Sequence, residues 1–184
     1  IAIKATEGVN VRGWLYSEVT DKAVGNGGSI TIDTSTLTLE NSGIISASTF
    51  AKGNAGNIAI KATEGVNVGG GLFSGVFNDT AEGNGGSITI DTSTLTLENG
   101  GYIGADIYGK GNAGNIAIKA SQGVNVRGWL SSDVKGTAQG NSGGITIDTA
   151  NLTLENGGYI SADIYGKGNA GNMAIQATQG VNVR

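Results

Sequence analysis

The chain has 184 residues, of which 34 are glycine and none is proline, cysteine or histidine, and its formal net charge is −4. Without cysteine there is no disulfide framework or thiolate metal site, and without histidine the commonest general base and zinc ligand are missing. The mild, dispersed charge argues against a nucleic-acid surface, and no apolar run approaches the roughly 20 residues that cross a bilayer as a helix.

Along the chain, the first element alternates as Ile1-Ala2-Ile3-Lys4, the second as Val9-Asn10-Val11-Arg12, and the third is the looser Leu15-Tyr16-Ser17-Glu18-Val19. The same three follow again as Ile30-Thr31-Ile32-Asp33, Leu37-Thr38-Leu39-Glu40 and Ile45-Ser46-Ala47-Ser48-Thr49. Period-two patterning with β-branched residues predicts short strands with one buried face, and glycine and asparagine clusters punctuate them. Ile1–Val11 recurs unchanged at Ile58–Val68 and with small changes from Ile116 and Met173, so two-coil repeats of 57 or 58 residues start near 1, 58, 116 and 173. Ile1, Ile30, Ile58, Ile88, Ile116, Ile145 and Met173 mark equivalent points 28 to 30 residues apart. Three strands in about 29 residues, with no helical periodicity, is one coil of a solenoid. Near-constant spacing stacks like on like in parallel, which argues against a hairpin meander. The predicted fold is all-β: a right-handed parallel β-helix, or β-solenoid, of about six coils and about 30 Å in height. Residues 1–184 form a single solenoid segment. The repeat is already under way at Ile1 and still running at Arg184, so the reading expects a fragment of a longer repeat protein.

Stacking predicts ladders of outward residues. The first strand gives the charge ladder Lys4, Asp33, Lys61, Asp91, Lys119 and Asp148, ending at Gln176. The second gives Arg12, Glu40, Gly69, Glu98, Arg127, Glu155 and Arg184. Exposed pairs contribute little individually, but a one-coil slip would set like charges together, so alternation fixes register. An asparagine ladder, Asn26, Asn54, Asn84, Asn112, Asn141 and Asn169, follows a glycine each time. Asparagine tolerates left-handed backbone and can bond to the coils above and below, so these residues are read as a turn ladder and not as a ligand site.

The run Gly53-Asn54-Ala55-Gly56-Asn57-Ile58, with Val66-Asn67-Val68 and Ile45-Ser46-Ala47-Ser48-Thr49-Phe50, resembles the repeat region of filamentous-haemagglutinin-like exoproteins of the cyanobacterial type. The resemblance covers the whole chain. It implies a right-handed parallel β-helix shaft, exported by two-partner secretion through an outer-membrane transporter, that serves as an adhesin or extracellular filament at the bacterial surface.

No catalytic constellation emerges from the residues, and neither enzyme activity, a cofactor nor a metal is expected. The first-strand aspartates are separated by lysines, the Gly-Gly-x-Gly-x-Asp calcium repeat is missing, and Gly25-Asn26-Gly27-Gly28 precedes a strand, with no helix N-terminus behind it to hold a phosphate. Threonines 31, 89 and 146 interleave with alanines, so the regular threonine file of an ice-binding solenoid is missing too. The third strand carries the aromatics. Trp14, Tyr16, Phe73, Tyr102, Trp129 and Tyr159 fall at outward positions, with Phe50, Phe77, Tyr108 and Tyr165 just beyond, and form the candidate adhesive or lateral-contact face. The expected partners are other copies of the solenoid, packed laterally or end to end, and surface glycans. A structural and adhesive shaft is the leading expectation, a carbohydrate-binding module the alternative.

Overall fold

The computed structural model describes residues 1–20 and 22–184. Its strands are β1 (Ala2–Lys4), β2 (Gly8–Val11), β3 (Trp14–Tyr16), β4 (Ile30–Leu39), β5 (Ile44–Ser46), β6 (Ile58–Val68), β7 (Gly71–Phe73), β8 (Ile88–Leu97), β9 (Tyr102–Gly104), β10 (Ile116–Val126), β11 (Trp129–Ser131), β12 (Ile145–Leu154), β13 (Tyr159–Ser161) and β14 (Met173–Val183). One sheet runs β1-β4-β6-β8-β10-β12-β14 with β2 also on β4, and the other runs β3-β5-β7-β9-β11-β13. Every pairing is parallel and joins equivalent points of successive coils. The fold is a β-solenoid, with about six turns of roughly 29 residues and no helix among the described residues.

The two alternating runs of each coil are not separate strands beyond the first coil. They join into one strand that turns a corner without losing its pairing. In β4 the inward residues are Ile30, Ile32 and Thr34, then Leu37 and Leu39, so the buried parity flips at residues 35–36. Thr34 is buried there, and its hydroxyl donates to the Thr36 carbonyl at 3.2 Å. Opposite Thr34–Thr36, β6 spends one extra residue between Ala62 and Gly65, and the same β-bulge recurs at Ala120/Gly123 in β10 and before Gly180 in β14. The two-coil repeat is therefore geometric as well as electrostatic: coils bearing Lys or Arg at these positions carry the bulge, and those bearing Asp and Glu do not. A further line of single parallel bridges, Val19–Thr49–Val76–Ile107–Val134–Ile164, closes the coil beyond the short strands.

The interior is a stack of identical rungs. Ile30, Ile58, Ile88 and Ile145 are fully buried, as are Ile45, Leu72, Ile103 and Leu130 on the opposing sheet. Each contributes about 1.5–3 kcal/mol of burial. A smaller cluster of Val76, Ala81, Ile107, Ala113, Val134 and Ala138 lies beneath the bridge line.

Candidate functional site

The third edge is organised by β3, β5, β7, β9, β11 and β13, whose three-residue length puts one core residue between two outward ones. Pairing places Trp14, Ile44, Gly71, Tyr102, Trp129 and Tyr159 in one file. Ring centroids lie 5.3 Å apart for Phe73–Tyr102, 5.8 Å for Tyr102–Trp129 and 6.0 Å for Trp129–Tyr159. Phe73 also meets Phe77 at 5.6 Å, and Phe77 continues to Phe50 and Tyr108. Exposure is uneven along the file. Trp14 is 72% exposed, Trp129 49%, Tyr16 44% and Tyr159 40%, whereas Phe73 and Tyr102 are half-buried. The reason is local: the Phe73 ring folds over Gly71 and the Tyr102 ring over Gly104, covering the backbone of their own strands.

That roof changes the next outward row. Ser46, Ser131 and Ser161 are buried beneath it, although their parity points them away from the core. Beyond them the column Glu18, Ser48, Gly75, Asp106, Asp133, Asp163 immediately precedes the bridge line. Asp106 and Asp133 are fully buried. Asp106 Oδ1 accepts the amide of Asp133 at 2.7 Å, and Asp133 Oδ1 accepts that of Asp163 at 2.7 Å. Asp133 Oδ2 also takes Ser161 at 2.8 Å and Lys135 at 2.6 Å, so its charge is compensated. Among the described residues no cation is in direct contact with Asp106. The Tyr102 hydroxyl donates to its Oδ2, Ser131 Oγ lies 2.8 Å from Oδ1, and Tyr102 Oη lies 2.8 Å from Ser131 Oγ. Burial lifts the Asp106 carboxyl above its ordinary range, against the lowering effect of its hydrogen-bond donors. Burial, and then the field of Asp106, likewise pushes the Tyr102 phenol up. Reading the sequence for catalytic carboxylates directs attention to the first strand and passes over this group. The available signal was Asp repeated between small or apolar core residues, in Ala105-Asp106-Ile107, Ser132-Asp133-Val134 and Ala162-Asp163-Ile164. Among the described residues no group of three acidic, His or Cys side chains is placed to hold a metal ion.

The predicted ladders are in register, with differing chemistry. Lys4, Asp33, Lys61, Asp91, Lys119 and Asp148 pair rung by rung, yet among the described residues none of these neighbours closes to an ion pair within 4.0 Å. The second file does close. Arg12 Nε reaches Glu40 at 2.8 Å, and Arg127 bridges Glu98 at 3.3 Å and Glu155 at 2.8 Å. Asn10 and Arg12 hold the Glu40 carboxyl below the usual carboxylate range, and Arg127 with Asn125 does the same for Glu155. In the asparagine ladder each Oδ1 accepts the backbone amide of the next member at 2.9–3.0 Å, from Asn26 through Asn169. The left-handed backbone expected of these asparagines belongs instead to four of the six preceding glycines, with φ of 137° at Gly53 and 141° at Gly111. A Cβ at either would overlap the carbonyl of the glycine one coil below, so glycine takes the tight turn and asparagine makes the bond.

Searches against protein-family models, curated proteins and solved structures find no match to this chain.

Proposed function

We propose that this solenoid is the structural and adhesive shaft of a large secreted bacterial surface exoprotein, making lateral contacts through its aromatic edge. The observation that carries the reading is the aromatic edge, where Trp14, Trp129 and Tyr159 stand in one file with Tyr16 in the next, large apolar side chains left 40–72% exposed on a regular scaffold. Exposed apolar side chains of this kind mark contact surfaces, and a parallel stack lines them up along one edge of the shaft. Rigidity supports the assignment: intercoil backbone bonds and the asparagine ladder leave few soft joints along the axis. The extracellular location, the assembly into filaments by lateral or end-to-end packing, and export through an outer-membrane transporter rest on the resemblance to filamentous-haemagglutinin-like repeats. Catalysis has no part in this reading.

The test replaces Trp14, Trp129 and Tyr159 with Ser. Tyr102 is left in place because it bonds Asp106 and Ser131 inside the edge. Self-association in sedimentation and attachment to cells should both fall with the melting temperature unchanged; a variant that still associates and attaches like the parent removes the reading. The alternative is specific carbohydrate binding, favoured by the exposed Trp14 and Tyr16 rings, stacked near-parallel with centroids 5.9 Å apart at 10°, each offering a ring face to a sugar. A glycan array separates the two, since a shaft without sugar specificity shows no preference among glycans.

A further inference from the structure

The long-stranded sheet presents a face of a different kind from the aromatic edge. Each strand turns its first two outward side chains to solvent: Ala59 and Lys61 on β6, Thr89 and Asp91 on β8, Ala117 and Lys119 on β10, Thr146 and Asp148 on β12. Pairing stacks them into two files, one alternating alanine with threonine and one alternating lysine with aspartate. All four strands have a paired neighbour on both sides, so this exposure belongs to the repeat. A groove of about 850 Å³ runs along the files from β6 to β14, with Thr89, Asp91, Ala117, Lys119, Thr146 and Asp148 in its lining. Among the described residues the lysines and aspartates of this face form no ion pair within 4.0 Å, unlike the Arg–Glu file beside it.

Because both files alternate with a period of two coils, the face is complementary to itself in one arrangement. A two-fold axis lying along the strands, midway between β8 and β10, faces β8 of one copy with β10 of the other, and β6 with β12. The shafts are then antiparallel. Every aspartate meets a lysine, Asp91 against Lys119 and Asp148 against Lys61, each pair occurring twice. Every threonine meets an alanine, Thr89 against Ala117 and Thr146 against Ala59, so the larger side chain always faces the smaller. An axis through a rung does the reverse, setting Asp on Asp, Lys on Lys and Thr on Thr. We propose that this face docks a second copy of the chain, antiparallel, with the two-fold axis between neighbouring rungs. The lysine stems lie over the alanines and threonines of the facing groove while each ammonium reaches a carboxylate. Charge complementarity of this kind selects orientation and register more than it adds affinity. The aromatic edge belongs to the other sheet, so a shaft has two separate lateral surfaces.

The experiment uses the 184-residue chain with Trp14, Trp129 and Tyr159 replaced by Ser as its background, so that contact through the aromatic edge does not enter. One variant adds Asp91→Lys and Asp148→Lys, the other Lys61→Asp and Lys119→Asp. Each exchange moves the charge by two, so from −4 the first becomes neutral and the second reaches −8, and opposite net charge does not draw them together. Sedimentation should show each variant alone self-associating at least tenfold more weakly than the background, and their equimolar mixture forming heterodimers at least as strong as the background's own dimers. If the alternation serves only to hold coils in register, both variants lose stability and mixing rescues nothing; that result overturns the proposal. A second measurement leaves every charge in place. The chain has no cysteine, so Thr89→Cys and Ala117→Cys each introduce a single thiol. Under mild oxidation the two variants mixed should crosslink to each other at least tenfold faster than either crosslinks to itself. Equal rates would rule out an axis between rungs and overturn the proposal even if the charge variants fail to fold.

Discussion

At the residue scale, Asp106 concentrates the chemistry of the third edge. Its folded-state pKa is raised by burial, so its stabilising contribution is fully present below the unfolded value near 3.9 and is lost as pH rises through the folded value. Tyr102, Tyr108, Asp133 and Lys135 surround it and act on the same proton. Asp106→Asn keeps the acceptor for the Asp133 amide and mimics the protonated acid. Melting temperatures measured from pH 4 to 9 should show the variant gaining on the parent as pH rises, by up to about 1.4 kcal/mol per unit in the titrating range. Asp106→Ala should instead lose about 1–3 kcal/mol at all pH values, because buried donors are left without an acceptor. Glu40 and Glu155 act with the opposite sign: their pKa values are lowered, so their contribution is lost as pH falls through those values, below about pH 4.3. Gly111→Ala is a second residue-scale test. A positive φ of 141° and the overlap with the Gly83 carbonyl should together cost at least about 2 kcal/mol in urea denaturation.

At the scale of the element, the coil is held at its corners by side chains that copy backbone geometry. Asn84 accepts the Asn112 amide at 2.9 Å and donates to Asn54 Oδ1 at 3.3 Å while its own amide is held by the same oxygen. Asn84→Ala removes the first two, with an expected cost of about 1–2 kcal/mol, read from the shift of a denaturation midpoint at unchanged m-value. The Asp106–Asp133–Asp163 column performs the same amide capture with carboxylates, one edge over and under an aromatic roof. The bulge has a different role, letting a bulged coil turn the same corner as its unbulged neighbours while keeping Ile58 on Ile30 and Val66 on Leu37.

At the scale of the molecule, the true unit is a pair of coils. Deleting residues 58–115 brings β10 onto β4, with Lys119 beside Asp33 and Arg127 beside Glu40, and the bulge alternation survives. Deleting residues 58–87 brings β8 onto β4, with Asp91 beside Asp33 and Glu98 beside Glu40. Both remain solenoids, but the single-coil deletion should be the less stable despite being the longer chain. Its deficit should shrink from 0.05 to 0.5 M salt, because exposed like charges are screened. A melting temperature for the single-coil deletion at or above that of the two-coil deletion in low salt would show that charge alternation does not set register.

The sequence alone determined the stacking. Recurrence of Ile30-Thr31-Ile32-Asp33 against Ile58-Ala59-Ile60-Lys61 specifies parallel rungs, because a period of about 29 residues with two-residue alternation has one arrangement that buries every Ile. It also determined the Asn26–Asn169 file and the outward parity of the aromatics, both properties of strictly local spacing. Tertiary structure decided what burial does across coils. Ser131 and Asp106 have outward parity, yet both are buried, with the Tyr102 ring folded back over neighbouring Gly104, and burial raises the Asp106 pKa. The left-handed turn fell to glycine and not asparagine because the carbonyl of the coil below leaves no room for a Cβ. Spacing along a chain fixes which residues share a row; contact across coils fixes which of them still meet water.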